Sequence, residues 1–454
     1  TNPLIITMKE FQQPVLPSTF VYPAAFTGTR VWGYEIFDGT ATYGPLYPAY
    51  TIEAQRGTPT QVTYVNQLGT ATTYPVLQQY LTVDQTLHWA DPLGQHGLTS
   101  PYAGPAPAVV HLHGGEVESR FDGHPDSWWT PGAEGTGTLP PNTYRGPGYF
   151  TNVYTYPNAQ EAATLWFHDH ALGITRLNVY SGLAGFYFLR DTAKEPANLP
   201  SGNYEIEIVI QDRMFDTQGQ WFFPDIGINP TVHPFWTPEF LGDAIVVNGK
   251  TWPYFNPGPR RYRFRFLNGS HARFYSMRLM DVTNPANPLP GPPIWQIGTD
   301  GGLLNTAAQI AFPNELLIAP GERADVIIDF KMFAGKTLML YNSARAPYPK
   351  GAPPDPQTTG QIMKFVVGPG PVTDTSYDPA TAAPGSLRPS NPIQRLVNIA
   401  TGAPAVTPDK VRQLTLNEVM GPLGPLEVLL NNTKWDGMMS PNAGGDTEQP
   451  QVGS

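Results

Sequence analysis

Four of the nine histidines in this chain fall into two His-x-His pairs. The first is His111 and His113 in "VVHLHGG", and the second is His168 and His170 in "ATLWFHDHALG". In an extended strand successive side chains alternate faces, so residues two apart project together with Cβ atoms about 7 Å apart. Each pair therefore presents two imidazoles on one face while Leu112 or Asp169 points the other way, and Trp166 shares the face of the second pair. Two such pairs on neighbouring strands aim four imidazoles at one region. That donor set suits copper, zinc, iron or nickel, and ligand type alone does not choose among them. Gly114 and Gly115 follow the first pair directly. Lacking Cβ atoms, they allow other backbone and a neighbouring chain segment to approach the ligands closely.

The elements that must hold these pairs are strands. "YTIEAQRGTPTQVTYVNQL", "GLAGFYFLRD", "YEIEIVIQDRMF", "RRYRFRFLNGS", "RADVIIDF" and "QIMKFVVG" are rich in β-branched and aromatic residues and end in turn formers. Convincing amphipathic helices are scarce, apart from a short turn near "HALGITRLNVYS". With 45 glycines and 51 prolines spread as short punctuation, the pattern predicts an all-β protein built as a set of antiparallel sandwiches. At 454 residues the chain divides into more than one domain.

An internal repeat refines that division. "AIVVNGKTWPYF" at 244–255 recurs in weakened form as "EVLLNNTKWDGM" at 427–438. The expected organisation is one β-domain over 1–192 and a second over 193–368. A Pro/Gly-rich linker follows at 369–410, then the opening strands of a third domain at 411–454. Around the second copy only a stub of that third domain is expected.

Composition excludes some functions. A net charge of −10 without a basic run offers no general attraction for nucleic acid or anionic membrane. The absence of cysteine excludes disulfides and any thiolate metal ligand from these residues. Of the remaining histidines, His88 and His124 lie near the pairs and could line a solvent path. His96, His233 and His271 sit among Gly, Pro and Ser and are expected in surface loops.

"VVHLHGG", followed by "LWFHDHALGITRLNVYSGLAGFYFLRD", resembles the first cupredoxin domain of the multicopper oxidases, nearest to the bacterial spore-coat type of laccase. Bilirubin oxidase and phenoxazinone synthase belong to the same circle of relatives. The likeness continues through "AIVVNGKTWPYFNPGPRRYRFRFLNGS", "IGTDGGLL", "LLIAPGERADVIIDF" and "VLLNNTKWDGM", and covers nearly the whole chain. It implies tandem cupredoxin domains, each a Greek-key β-sandwich, and copper as the cofactor. By the same resemblance His111 would bind the type 2 copper, His113 and His168 one type 3 copper, and His170 the other. Asp122, in "RFDGHP", falls where the spore-coat type keeps an acidic residue near the trinuclear cluster, and is implied to hold water and deliver protons.

The implied reaction couples four one-electron oxidations of a small reducing substrate to reduction of O2 to two waters. In the family, eight histidines hold the trinuclear cluster, and a cysteine and two histidines hold a type 1 copper that receives the electrons. Here four of the eight are present and the type 1 ligands are absent. The expectation is a partner, either a proteolytic fragment or a split subunit, that completes the third domain, with this chain inactive alone. Substrates of the phenol, aminophenol or bilirubin-like classes are implied, and Cu(I) or Mn(II) oxidation is the alternative within the family. A copper nitrite reductase is disfavoured because its type 1 cysteine lies in the first domain. A copper-free structural scaffold is disfavoured because it has no need of four ligands. "QWFFPDIGINPTVHPFW" at 220–236 and "ARAPYPKGAPPDPQ" at 344–357 are candidate loops for the substrate pocket.

Overall fold

The computed structural model describes residues 4–69, 81, 83–85, 88–95, 102–224, 239–421, 424–434 and 451–452. Among the described residues the chain is nearly all β, with one short α-helix, Thr175–Ser181, closed by Gly182 at φ +133°. Among the described residues no helix is long and apolar enough to cross a membrane.

The N-terminal strands make two facing sheets. One runs Thr42–Leu46, Thr29–Phe37, Leu4–Gln13, Thr60–Gln67 and Val153–Tyr156 in spatial order. The other runs Ala49–Gln55, Ala184–Arg190, Ala163–Asp169 and Val110–His113. Period-two alternation drives the packing: Ile6, Met8, Val62 and Tyr64 from the first sheet meet Val110, Leu112, Leu165, Phe167, Tyr187 and Leu189 from the second in one core. Burying each such aliphatic or aromatic side chain stabilises the sandwich by about 1.5–3 kcal/mol.

A second sandwich follows. Its seven-stranded sheet contains Glu205–Arg213, Arg261–Asn268 and Arg323–Asp329 as neighbours, and its six-stranded sheet contains Tyr275–Asp281, Thr337–Asn342 and Gln361–Val366. In Arg261–Asn268 the alternation is unusual. Tyr262, Phe264 and Phe266 enter the core, whereas Arg261, Arg263 and Arg265 line the other face and are buried as well. A buried guanidinium needs partners. Arg263 and Arg265 find them in Asp325, Glu205 and Glu195, and Arg261 in Asp374.

The sheets are mixed and not purely antiparallel, which corrects the expectation from strand patterning. Leu4–Gln13 runs parallel to Thr60–Gln67, Ala49–Gln55 to Ala184–Arg190, and Glu205–Arg213 to Arg261–Asn268. Alternation reports which face is buried and carries no information on strand direction, so the parallel pairs are invisible to it.

The outer face of the histidine-bearing sheet is covered by the second sandwich. Trp166, Ala184, Phe186 and Phe188 pack against Val209 and Leu267. This explains why every residue of Ala163–Asp169 is buried. The segment expected to be a loose linker contributes Tyr377 and Leu387 to a small core with Leu199, Ile297, Leu303 and Ile327. Arg388 and Asn391 reach Glu161 of the first sandwich at 2.8 and 2.6 Å.

The chain separates into two compact units, 1–223 with 239–392, and 224–238 with 393–454. In the second unit Leu416–Gly421, Gly424–Leu430, Thr433–Lys434 and Gln451–Val452 form a four-stranded sheet. Leu416, Met420, Val428 and Leu430 are all exposed. The internal repeat has a structural cause. Both copies turn through two residues at positive φ, Asn248–Gly249 and Asn431–Asn432. Val247 pairs with Lys250 as Leu430 pairs with Thr433. Each is a two-residue hairpin, for which Asn and Gly are the favoured residues because both central positions need φ above zero.

Candidate metal centre

Val110–His113 and Ala163–Asp169 pair antiparallel, with His111 opposite His168 and His113 opposite Trp166. Leu112, Leu165 and Phe167 face the core, so the intervening side chains share the opposite face, as the two-residue spacing predicts. His170 lies one residue past its strand. Its backbone N–H donates to the Val109 carbonyl at 2.8 Å. The buried Asp169 carboxylate accepts from the N–H groups of Val109 at 3.1 Å and Ala171 at 3.0 Å. Together these contacts fix the turn that returns His170 toward the other three rings.

The four rings converge. His111 has ring-centroid separations of 5.8, 5.5 and 4.9 Å from His113, His168 and His170. His113 Nδ1 lies 3.2 Å from His168 Nε2. One donor atom from each of His111, His113 and His168 falls within a mutual 4.8 Å. The Trp166 ring packs tilted against His168 at 4.2 Å and His113 at 5.0 Å between centroids.

Hydrogen bonds assign the ring nitrogens. His111 Nδ1 meets the Asp122 carbonyl at 2.5 Å, His168 Nδ1 the Asp169 carbonyl at 2.7 Å, and His170 Nδ1 the Gly123 carbonyl at 3.2 Å. A carbonyl only accepts, so each Nδ1 carries the proton and each Nε2 keeps its lone pair for a metal. His113 differs, because its Nδ1 is the atom turned toward His168. The set thus offers Nε2 from three histidines and Nδ1 from the fourth.

Electrostatics favours the neutral, ligating forms of three rings. Burial, followed by the Arg323 guanidinium and the other imidazoles, pushes His113 down to about 4. Burial likewise takes His170 to about 4 and His168 well below its ordinary value. His111 goes the other way: burial opposes its charge, yet the hydrogen bonds and charge of Asp122 outweigh that and raise it. Burial raises Asp169 to about 7.

Asp122 caps a single 3-10 turn, Ser119–Phe121, with its carbonyl on His111 and a carboxylate oxygen 3.3 Å from the same Nδ1. Its side chain is 45% exposed, so it joins the cluster to solvent. Gly123 follows at φ +75°, and a Cβ there would lie 2.1 Å from the Val110 carbonyl oxygen. No other residue fits this turn against the histidine strand.

All five residues expected at the site are therefore brought together. Gly123 and Arg323 are further participants that residue spacing did not reveal. The second sandwich supplies Arg323, and no local pattern links it to the histidine pairs. Of the other histidines, His88 and His124 are exposed, and His124 Nδ1 accepts from the Asp126 N–H at 3.3 Å. His96 and His233, and residues 225–236 of one candidate loop, lie outside the described residues. His271 corrects the surface expectation. Its ring packs against Tyr180, Phe223 and Phe240 at 5.7, 6.0 and 5.7 Å, with both ring nitrogens buried.

No protein-family model matches the chain. The chain is 35% identical to the laccase of Bacillus subtilis (strain 168) over 430 residues, covering 94% of this chain and 70% of that protein. The chain belongs to the multicopper oxidases. It is also 38% identical to multicopper oxidase LPR1 homolog 1 of Oryza sativa subsp. japonica over 344 residues, which is 53% of that protein. Among solved structures it resembles the McoA multicopper oxidase of the hyperthermophile Aquifex aeolicus, with a TM-score of 0.61 and 26% identity. That likeness covers 96% of this chain and 72% of the other. As in other multicopper oxidases the sandwiches are cupredoxin-like, the activity class is oxidoreductase, and copper is the metal the family implies.

Proposed function

We propose that this multicopper oxidase is laccase-like, and that its four histidines are half the ligand set of a trinuclear copper cluster. The observation that carries this reading is the convergence of the four rings. Three Nδ1 atoms are tied to carbonyls, leaving an all-imidazole donor set that fits copper. His111 is the type 2 ligand, His113 and His168 share one type 3 copper, and His170 binds the other. Copper bound there supplies four-electron reduction of O2 to water, driven by one-electron oxidation of phenolic, aminophenolic or similar small molecules. Asp122 holds and passes protons, since its carboxylate touches His111 Nδ1 on one side and solvent on the other.

The 454 residues contain no cysteine. A type 1 site needs a thiolate, so the electron-accepting copper is assigned to polypeptide beyond these residues, and on this reading the same polypeptide brings the other four cluster ligands. The exposed apolar side chains Leu416, Met420, Val428 and Leu430 support this, because such a surface marks a contact to be covered. The segment that covers it completes the third cupredoxin domain. These 454 residues alone do not couple substrate oxidation to O2 uptake.

Reconstitution tests the reading. Mixing the chain with a cysteine-bearing segment of roughly 15 to 20 kDa, about one β-domain, is expected to give four coppers, a type 1 EPR signal and O2-coupled oxidation of a phenol. His168→Ala abolishes that oxidation. Retention of O2 uptake in His168→Ala, or an assembled protein that takes up no copper, contradicts it.

A further inference from the structure

Three of the four histidines are oriented by a carbonyl on the ring nitrogen that faces away from the cluster. His113 is the exception. Its Nδ1 faces His168, and among the described residues no carbonyl bonds to its Nε2. Something else must hold this ring, and the surroundings identify it. Beside it Trp166 packs tilted, with ring centroids 5.0 Å apart and an interplanar angle of 32°. Against its edge stands Gly321, at φ +80°, placed so that a Cβ would sit 3.5 Å from His113 Cε1 and 3.7 Å from Nε2. Gly321 belongs to the second sandwich, in the turn that leads into Arg323–Asp329.

That turn is secured by Arg323. Its side chain is only 3% exposed. Nη1 donates to the Gly321 carbonyl at 2.8 Å, and Nε donates across the domain boundary to the Thr164 carbonyl at 2.9 Å. Thr164 lies on the strand that carries His168, and its hydroxyl accepts from Arg265 at 2.8 Å. Nη2 stands over Gly114, the residue after His113, where a Cβ would come within 2.7 Å of it. One planar fork therefore touches the base of the His168 strand, the wall beside His113, and the chain just past His113. Only a guanidinium offers several donors fixed in one plane for such a task.

We propose that Arg323 is a positioning residue of the metal centre. It does from the second domain what carbonyls do for the other three histidines, fixing the orientation of the His113 ring relative to His168. The metal-affinity part of this proposal rests on the copper reading above, whereas the ring-orientation part does not.

The test uses the purified 454-residue chain and its Arg323→Met and Arg323→Lys variants. Histidine-selective NMR of the metal-free protein reports ring order, and competition with a chelator reports Cu(II) affinity. In Arg323→Met the His113 ring resonances are expected to shift and broaden while those of His111 stay in place. Cu(II) affinity is expected to fall by about 10- to 100-fold, the usual effect of removing an outer-shell contact. Arg323→Lys keeps the charge but cannot bridge the Thr164 and Gly321 carbonyls, so it is expected to disturb His113 as well and to recover only part of the affinity. A His113 signal unchanged in both variants overturns the proposal, and if the Met variant does not fold, an unchanged signal in the Lys variant does so. If wild type shows no His168→Ala-sensitive copper binding, the copper reading fails, and the His113 resonances still decide the role of Arg323.

Discussion

Replacing Gly123 by Ala tests the link between backbone geometry and the histidine cluster. The residue sits at φ +75°, and its missing Cβ would fall 2.1 Å from the Val110 oxygen, 2.6 Å from the Val110 carbon and 2.9 Å from His111 Cα. Holding Ala in the left-handed region costs about 1–2 kcal/mol. The collision is with strand backbone, which cannot rotate away as a side chain could, and forced overpacking adds about 1–3 kcal/mol. Relief requires the Asp122–Gly123 turn to move off the strand. That movement breaks the carbonyl contacts to His111 at 2.5 Å and His170 at 3.2 Å. Gly135→Ala is the control, since it shares a positive φ of +80° but has nothing within 4 Å of the added methyl. Chemical denaturation should place Gly123→Ala about 1–3 kcal/mol below Gly135→Ala. Cu(II) affinity should fall about 10- to 100-fold in the former alone. Equal stability of the two variants, with copper affinity intact, refutes the close-approach argument.

Three further outcomes follow from the electrostatics. Asp122 raises the pKa of His111 against the effect of burial, and protons compete with copper for that ring. In Asp122→Asn, copper binding measured against pH should therefore persist to lower pH than in wild type. A midpoint that stays or rises argues against the contact. Burial lifts Asp169 to about 7, above the unfolded value of about 4, so its stabilising effect is present at low pH and lost as pH rises from about 4 to 7. The stability of Asp169→Asn relative to wild type should increase across that window, whereas Asp169→Ala should lose about 2–5 kcal/mol by orphaning the Val109 and Ala171 N–H groups. His113 and His170 have the opposite sign. Their folded values of about 4 lie below the unfolded value of about 6.5, so the stability they contribute is lost as pH falls from about 6.5 to 4. His113→Gln should flatten that part of the denaturation profile.

The histidine pairs were legible because period-two geometry is local: His111 and His113 share a face whatever the rest of the chain does, and the alternating Leu112, Leu165 and Phe167 show which face is core. Asp122 was legible through the resemblance, but its carbonyl contact to His111 was not, since that depends on Gly123 lying against Val110. Arg323 and Arg265 were hidden for a related reason. Their targets, the Thr164 carbonyl and hydroxyl, are meaningful only once the two sandwiches touch. His271 shows the limit of reading neighbours in sequence. Its Gly and Ser companions suggest a surface loop, yet Tyr180, Phe223 and Phe240 arrive from elsewhere to pack around it. The 368–392 stretch reads as a linker from its Pro, Gly, Ser and Thr content. Two sparse anchors, Tyr377 and Leu387, are enough to seat it.

On the reading proposed above, His111, His113, His168 and His170 form one copper-binding set. EPR of the 454-residue chain titrated with Cu(II), alongside a His111→Ala/His168→Ala double variant, decides whether they do. Nitrogen hyperfine structure from imidazole ligands is expected in the wild-type spectrum and is expected to be lost in the variant. A wild-type spectrum of hydrated copper, or one that the two substitutions leave unchanged, contradicts that reading.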